Sequence, residues 1–374
     1  MRLVICGNYG ATNIGDEAIL DGILAMIRHV DPTADITVLS ANPSETAAAH
    51  DVKSVSLLPA GLRSFARGLF GGGMMKTFKV LKECDGFILG GGGLLSDEKL
   101  MAMIIWPLQA AFASLLGKPV FCLGQSIGPL RTFFGRRMAR NIYKRALLAS
   151  VRDRSSGKLL HELQLPAPAI LADPAFAIHL KESASANREK LVFFSLRGWR
   201  TDAPANLYKS FAHFIGWLKR DYGFRTVLVP FSALPENDTL LLNKIFAQLD
   251  DKSAAEVFEY SGDYIKVLEL MNRSKAVVGM RLHSLIFATL TRTPFLALSY
   301  SSKVKAFAAD LGMGEYVYDW AGLDVNELKS GFKRLMENYE RVSMLLGEQN
   351  LLMRAKAHEH EKMLRTFFDA IKSP

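Results

Sequence analysis

The chain is 374 residues long, 49% hydrophobic and 22% charged, a balance that belongs to folded globular proteins and excludes disordered and fibrous classes. Its length exceeds what one hydrophobic core usually supports, so two domains are expected. The formal net charge of +9 favours anionic partners such as phosphates, acidic sugars or lipid head groups; with no zinc-finger spacing, RNP-like aromatic motif or long basic tail, nucleic acid is not among them.

"RLVICG" reads as a buried strand, and "GDEAILDGILAMIRHV" as an amphipathic helix with Ile19, Ile23, Met26, Ile27 and Val30 inward. "DITVLS" is the next strand, so the chain opens as a doubly wound α/β sheet. The runs "GFILGGGGLLSD", "PVFCLGQSIGP" and "ASVRDRSS" continue it. Each ends at a turn signal, where the carboxyl ends of parallel strands lie, so their loops are expected on one face. Cys6, Cys84 and Cys122 fall in or beside these apolar runs and read as reduced core thiols. The N-terminus has no signal-peptide pattern, and no run approaches about 18 uninterrupted apolar residues. A cytoplasmic protein without a transmembrane helix is expected.

The polar stretch "HLKESASANREK" breaks the pattern and reads as an interdomain linker. After it the pattern restarts: "LVFFSLRG", the helix "NLYKSFAHFIGWLKRDY", "RTVLVPFS", the helix "DTLLLNKIFAQL", "KAVVGM", the helix "RLHSLIFATL" and "PFLALSY". The remainder, from "DVNELKSGFKRLMENYERVSMLLGEQ" onward, is helical by pattern. The expected architecture is α/β: two Rossmann-like domains facing across a cleft, GT-B-like, with a helical C-terminus. The expected divisions are residues 1–182, 190–325 and 326–374.

Several loops carry residues suited to binding. "GNYGATNIGDE" joins a strand to a helix; its glycines allow close backbone approach, and Asn13 and Asp16 can cap the helix start. It matches neither the dinucleotide nor the P-loop glycine spacing. Asp16 and Glu17 suit a sugar hydroxyl better than a phosphate, since a carboxylate accepts hydrogen bonds and can draw off a proton. Gly92, Gly93 and Asp97 in "GGGGLLSD", with Gln125 in "GQSIGP", repeat the idea at the next strand ends. Arg152 and Arg197 follow apolar strands, one in each half, and Lys303 follows another. The plain alternative for Arg152 is a pair with its neighbour Asp153. In "VVGMRLHSLIFATL", Arg281, Leu282 and His283 stand where a strand passes into a helix. The amide N–H groups and positive dipole end of a helix start attract an anion there, and the charge of His283 should then depend on that anion. The plain alternative is a core histidine bonded to a backbone carbonyl.

Taken in order, "GNYGATNIGDEAIL", "GGGGLLSD", "GQSIGP", "SVRD" and "GMRLHSLIFA" resemble the polysaccharide pyruvyl transferase family, from the first strand to about residue 320. The chain departs from the usual family pattern in lacking a Gln before Asp97 and in reading "YSSK" before Lys303. The resemblance implies a GT-B-like enzyme that transfers the pyruvyl group of phosphoenolpyruvate onto two sugar hydroxyls, leaving a cyclic ketal and free phosphate. It implies His283 as the catalytic residue, Arg281 and Arg197 as anion ligands, and Lys303 as a further contact to phosphoenolpyruvate. The second domain would take this donor and the first the acceptor.

The residue chemistry agrees with that donor, because phosphoenolpyruvate carries a carboxylate and a phosphate that cationic side chains around a helix start can match. A histidinium at position 283 can protonate the methylene carbon, and Asp16, Glu17 and Asp97, in that order, can take a proton from the acceptor. No cluster has the ligand types of a metal site, so neither metal nor cofactor is expected beyond the donor itself. "GLRSFARGLFGGGMMKTFKVLK" and "RTFFGRRMARNIYKR" interleave basic and apolar residues, as expected of a surface resting on anionic lipid. The acceptor is therefore expected to be a polyprenyl-linked saccharide at the inner face of the cell membrane. The rival readings are a sugar-nucleotide glycosyltransferase of GT-B type and a non-catalytic saccharide-binding protein.

Overall fold

The computed structural model describes residues 1–59, 73–98, 101–180, 188–198, 205–233 and 237–373. The chain forms two compact units: residues 1–11, 16–179 and 353–374 make the first, and residues 12–15 and 180–352 the second. The expected third part, 326–374, does not stand apart, because its first portion groups with the second unit and its last with the first.

In the first unit, chain order runs β1 (Arg2–Cys6), α1 (Ile14–Val30), β2 (Asp35–Ser40), α2 (Pro43–His50), β3 (Lys53–Ser56), α3 (Gly73–Glu83), β4 (Gly86–Leu89), β5 (Gly92–Leu95), α4 (Ala102–Leu115), β6 (Val120–Ile127), α5 (Phe133–Arg145), β7 (Leu148–Val151), α6 (Arg154–Glu162) and β8 (Ala169–Ile170). The first two residues of α1 count with the second unit. All strand pairs are parallel, in the order β3-β2-β1-β4-β6-β7-β8, with β5 added to β6. The strands read as continuous apolar runs because both faces are covered. Val4, Cys6, Phe87, Leu89 and Cys122 enter a core shared with Leu81, Met103, Trp106, Ala139, Ile142 and Leu160 of α3 to α6. Leu3, Ile5, Ile88 and Phe121 alternate to the other face and are equally buried. In α1, Ile19, Ile23, Met26 and Ile27 are buried as expected, while Val30 is only half-buried.

The second unit repeats the scheme: β9 (Glu189–Ser195), α7 (Ala205–Tyr222), β10 (Arg225–Leu228), α8 (Asp238–Ala247), β11 (Ala255–Val257), α9 (Tyr264–Arg273), β12 (Ser274–Gly279), α10 (Leu282–Leu290), β13 (Phe295–Ser299), α11 (Ser302–Asp310), β14 (Val317–Asp319) and α12 (Val325–Glu337). Its sheet is parallel with order β11-β10-β9-β12-β13-β14. Aromatic contacts tie sheet to helices: Phe194 meets Phe211 at 5.3 Å and Phe231 meets Phe287 at 5.6 Å between ring centres. A final helix, α13 (Tyr339–Lys372), follows. Its last portion belongs to the first unit, where Phe367 packs on Phe121 at 5.6 Å and His360 donates to or accepts from Ser150 at 3.2 Å.

Three expectations need correction. Gly92 and Gly93 lie in strand β5 rather than in a loop, and "GQSIGP" begins inside β6, so Gln125 is a strand residue. Strand β9 starts at Glu189, inside the stretch read as linker, of which residues 181–187 lie outside the described residues. No described helix is long and apolar enough to cross a membrane. Cys6, Cys84 and Cys122 are free and buried, and burial pushes the Cys84 thiol up to about 11 and that of Cys122 to about 12.

One carboxylate organises the carboxyl edge of the second sheet. Asp238, the fully buried first residue of α8, accepts from the backbone N–H of Gly198 (2.7 Å), Phe231 and Ser232 (both 3.0 Å), which follow β9 and β10. It also accepts from Nε and Nη2 of Arg281, at 2.8 and 2.7 Å. This bidentate pair fixes the start of α10 against two neighbouring strand ends. Removing one partner of a buried pair strands the other, so Asp238→Ala should destabilise the protein by about 3–5 kcal/mol in urea unfolding. A loss below about 1 kcal/mol would mean the pair contributes no more than a surface ion pair.

Candidate functional site

At the carboxyl edge of the second sheet, strands β9, β12 and β13 are neighbours, and each delivers one or more of the expected residues. Arg197 follows β9, and its guanidinium lies over the Tyr300 ring, 4.8 Å from the centroid, while its backbone N–H points to Met280 Sδ at 3.4 Å. Tyr300 follows β13, and Lys303, half-buried, is the second residue of α11. His283 is the second residue of α10, behind Leu282, with Arg281 at the N-cap position making no side-chain cap bond. The first turn of that helix carries its N–H groups and the positive end of its dipole. Arg281, expected as an anion ligand, first of all holds Asp238.

The residues 12–15 belong to this same unit, through an antiparallel bridge of Asn13 to Ser232 and a bond from Ile14 N–H to the Phe231 carbonyl at 3.0 Å. Asn13 Oδ1 accepts from Gly15 N–H at 3.1 Å and so caps α1, as its sequence position implied. Gly15 lies directly against the His283 imidazole, so close that a Cβ at position 15 would collide with Nδ1 and Cγ of the ring. A glycine is required here by contact with the imidazole rather than by backbone angle.

The first unit gathers its residues at the carboxyl ends of β1, β4, β6 and β7, which are adjacent. Asp16 is buried and accepts from Asn8 Nδ2 at 2.7 Å rather than capping α1. Burial raises its carboxyl to about 7; the Asn8 hydrogen bond works the other way, and Glu17 adds to the rise. Gly92, at φ +98°, brings its backbone beside Asp16, where a Cβ would stand 3.1 Å from Oδ1. Gly93 is exposed with open space beside it.

Other expected residues are engaged in structure. Glu17 accepts from Gly10 N–H at 2.9 Å through one oxygen and faces His50 Nε2 at 2.8 Å through the other. Arg152 is a buried partner of Asp173, not of Asp153. Asp153 instead caps α6 by accepting from Ser156 N–H, and it also bonds Ser126. Asp97 accepts from Thr132 N–H and Oγ1, at 2.6 and 2.9 Å, holding the turn before α5. Gln125 is buried and donates to the carbonyls of Leu89 and Gly90, at 3.0 and 2.6 Å. Glu17, Arg152, Asp97 and Gln125, expected at the ligand, are also held within the first unit: Glu17 and Gln125 bond Gly10 and Gly90, Arg152 bonds Asp173, and Asp97 bonds Thr132.

Sequence reasoning missed Asp238, His50, Asn8 and Tyr300. His50 lies between Glu17 and Asp21, at 2.8 and 2.6 Å. Burial alone would lower it, but the two carboxylate bonds outweigh that and raise it to about 9. Asn8 stands in the same loop as Asp16, eight residues before it; for Asp238, His50 and Tyr300 the only sequence signal was residue type, since each is far from its target in the chain. A shallow cavity of about 470 Å³ in the second unit lies away from this edge, beside α13, lined by Arg188, Lys275, Arg292 and Tyr339. The Arg188 guanidinium there is bonded to the carbonyls of Asn272, Ser274 and Thr291.

Comparison with known proteins follows the same lines. The amylovoran biosynthesis protein AmsJ of Erwinia amylovora is 22% identical, with all of both chains covered. Among solved structures, UDP-GlcNAc 2-epimerase from Neisseria meningitidis superposes with a TM-score of 0.63 at 13% identity, covering 98% of this chain and 99% of that one. Glycyrrhiza uralensis UGT73P12 gives 0.63 at 11% identity, covering 100% and 96%. At such identities the likeness concerns the fold, which is GT-B-like. The model of the polysaccharide pyruvyl transferase family matches residues 13–302, most of the sequence, and the chain belongs to that family.

Proposed function

We propose that the protein transfers the pyruvyl group of phosphoenolpyruvate onto two hydroxyls of a sugar in a cell-surface polysaccharide or its lipid-linked precursor, forming a cyclic ketal and releasing phosphate. The acceptor is carried on a polyprenyl lipid, and the enzyme works peripherally at the inner face of the cell membrane. The observation that carries this reading is the convergence of Arg197, His283 and Lys303 at three adjacent strand ends of the second unit. Cations at that edge, with a helix start among them, match a small ligand bearing a carboxylate and a phosphate.

In the proposed reaction His283, as imidazolium, gives its proton to the methylene carbon of the donor. The adjacent carbon becomes oxocarbenium-like and takes one sugar hydroxyl, whose proton goes to a base. The carbon–oxygen bond to phosphate then breaks, and the second hydroxyl closes the ring. Of the two hydroxyl protons, one replaces that given to the new methyl group and the other leaves with phosphate. Arg197 and Lys303 would hold the anionic groups through these steps, and charge-assisted contacts of this kind are strongest where charge develops. Asp16 is the favoured base, because a buried carboxyl near 7 can both take and release a proton at neutral pH. Glu17 is less suited, since its two oxygens already face Gly10 and His50.

His283→Gln should keep fold and donor binding while turnover, read as phosphate release from phosphoenolpyruvate with acceptor, falls about 10²- to 10⁴-fold; turnover near wild type would remove His283 from its role. Consumption of a nucleotide sugar instead of phosphoenolpyruvate would favour the glycosyltransferase reading. For Asp16, activity should rise with pH along a limb centred near 7, and Asn8→Ala, by removing a bond that favours the carboxylate, should move the limb upward. The sign for stability is opposite. The folded carboxyl holds its proton more tightly than the unfolded one, so stability is greatest below the unfolded value and declines as pH rises toward about 7. Asp16→Asn should therefore lose turnover yet be more stable than wild type at about pH 8 in urea unfolding. Lower stability at that pH would contradict the assignment of a strained carboxylate.

A further inference from the structure

Helix α5 has five Lys or Arg in thirteen residues and no acid. Its geometry sorts them. Gly135, Ala139, Ile142 and Tyr143 are buried against the first unit's core, and Phe133, Arg137, Arg140 and Lys144 form the exposed stripe opposite. Phe133 is 81% exposed and Phe134 45%. Two large aromatic side chains in water at a helix's first turn contribute nothing to the core of this unit. The neighbouring carboxylates do not cancel the stripe: Glu162 faces Arg136 at 3.8 Å, and Asp97 is bonded to Thr132.

The same character extends along the helical layer. Helices α3 and α4 share α5's core on that side of the sheet. On α3, Lys76 and Lys79 are exposed with Met75, which is 69% exposed, and on α4 Leu115 is 75% exposed. The rest of the first basic–apolar stretch, residues 60–72, lies outside the described residues.

We infer that the α5 stripe, headed by Phe133 and Phe134, is a docking surface for an anionic lipid bilayer. Cationic side chains along the stripe meet lipid phosphates, while the two phenyl rings enter the boundary between head groups and acyl chains. A nucleic acid or an acidic polysaccharide would use the cations and stack on a ring, but neither covers the exposed aliphatic Met75 and Leu115 of α3 and α4; a bilayer takes rings and aliphatic chains together, and for that reason it is the better occupant. The inference deepens the proposed function, resting on the reading of a lipid-linked acceptor for its purpose, though its geometry is independent of the chemistry.

Co-sedimentation of the full chain with vesicles tests it, with no donor or acceptor present. The protein should bind phosphatidylcholine vesicles containing phosphatidylglycerol, weakly bind pure phosphatidylcholine, and lose binding as salt is raised. Arg137→Glu with Arg140→Glu should lower the partition about a hundredfold, and Phe133→Ser with Phe134→Ser about tenfold. Both pairs are exposed, so circular dichroism and melting temperature should match wild type; should the charge pair fail to fold, the phenylalanine pair decides. Wild-type binding by the phenylalanine variant would overturn the bilayer assignment in favour of a soluble polyanion, and absence of binding to the anionic vesicles would overturn it outright. Phosphate release from phosphoenolpyruvate with a detergent-solubilised acceptor should be unchanged in both variants, which separates failure of the surface from failure of the proposed reaction.

Discussion

The buried pair of Asp238 and Arg281 is the contact on which the second unit's carboxyl edge depends. A parallel sheet delivers its loops to one edge without saying how they are held there, and backbone N–H groups leaving buried strands must find acceptors. Asp238 answers for Gly198, Phe231 and Ser232 together. Those three N–H groups bond the carboxylate but leave its charge buried without a counter-charge, and Arg281 supplies it. The pair thus fixes where α10 begins and, with it, where His283 stands.

The first unit solves the equivalent problem with a wider network. Glu17 holds Gly10, His50 holds Glu17 and Asp21, and Gln125 holds the carbonyls of Leu89 and Gly90 where the glycine run begins. Charged and amide side chains here act on loops, and Asp16 is set apart: its neighbour Asn8 gives it one bond, while burial and Glu17 oppose its charge. A carboxyl kept near neutrality on its titration curve differs in kind from one neutralised by an ion pair, though the two stand side by side in the sequence.

Much of this was legible in the sequence, and the reasons are local. Apolar runs ending in glycine gave the strands and their common edge, because burial on both faces demands continuous hydrophobicity. The "GMRLHS" stretch gave a helix start with His283 in its first turn. Distant partners were beyond reach. Asp173 lies 21 residues from Arg152, and Asp238 lies 43 from Arg281, so the obvious neighbour Asp153 was a fair but wrong partner for the arginine. Gly92 and Gln125 were read as loop because glycine marks turns, whereas the backbone continued as β5 and β6. Even the requirement at Gly15 comes from a histidine far along the chain.

The long helix α13 carries the chain back to the unit with which it began. Its last residues, with Phe367 on Phe121 and His360 bonded near Ser150, complete the unit with which the chain begins, while residues 180–352 build the other. In chain order residues 180–352 interrupt the unit that the two ends of the described chain complete. A chain that stops at residue 179 therefore lacks the helix that packs on the first sheet, and joining residue 179 to residue 353 restores it.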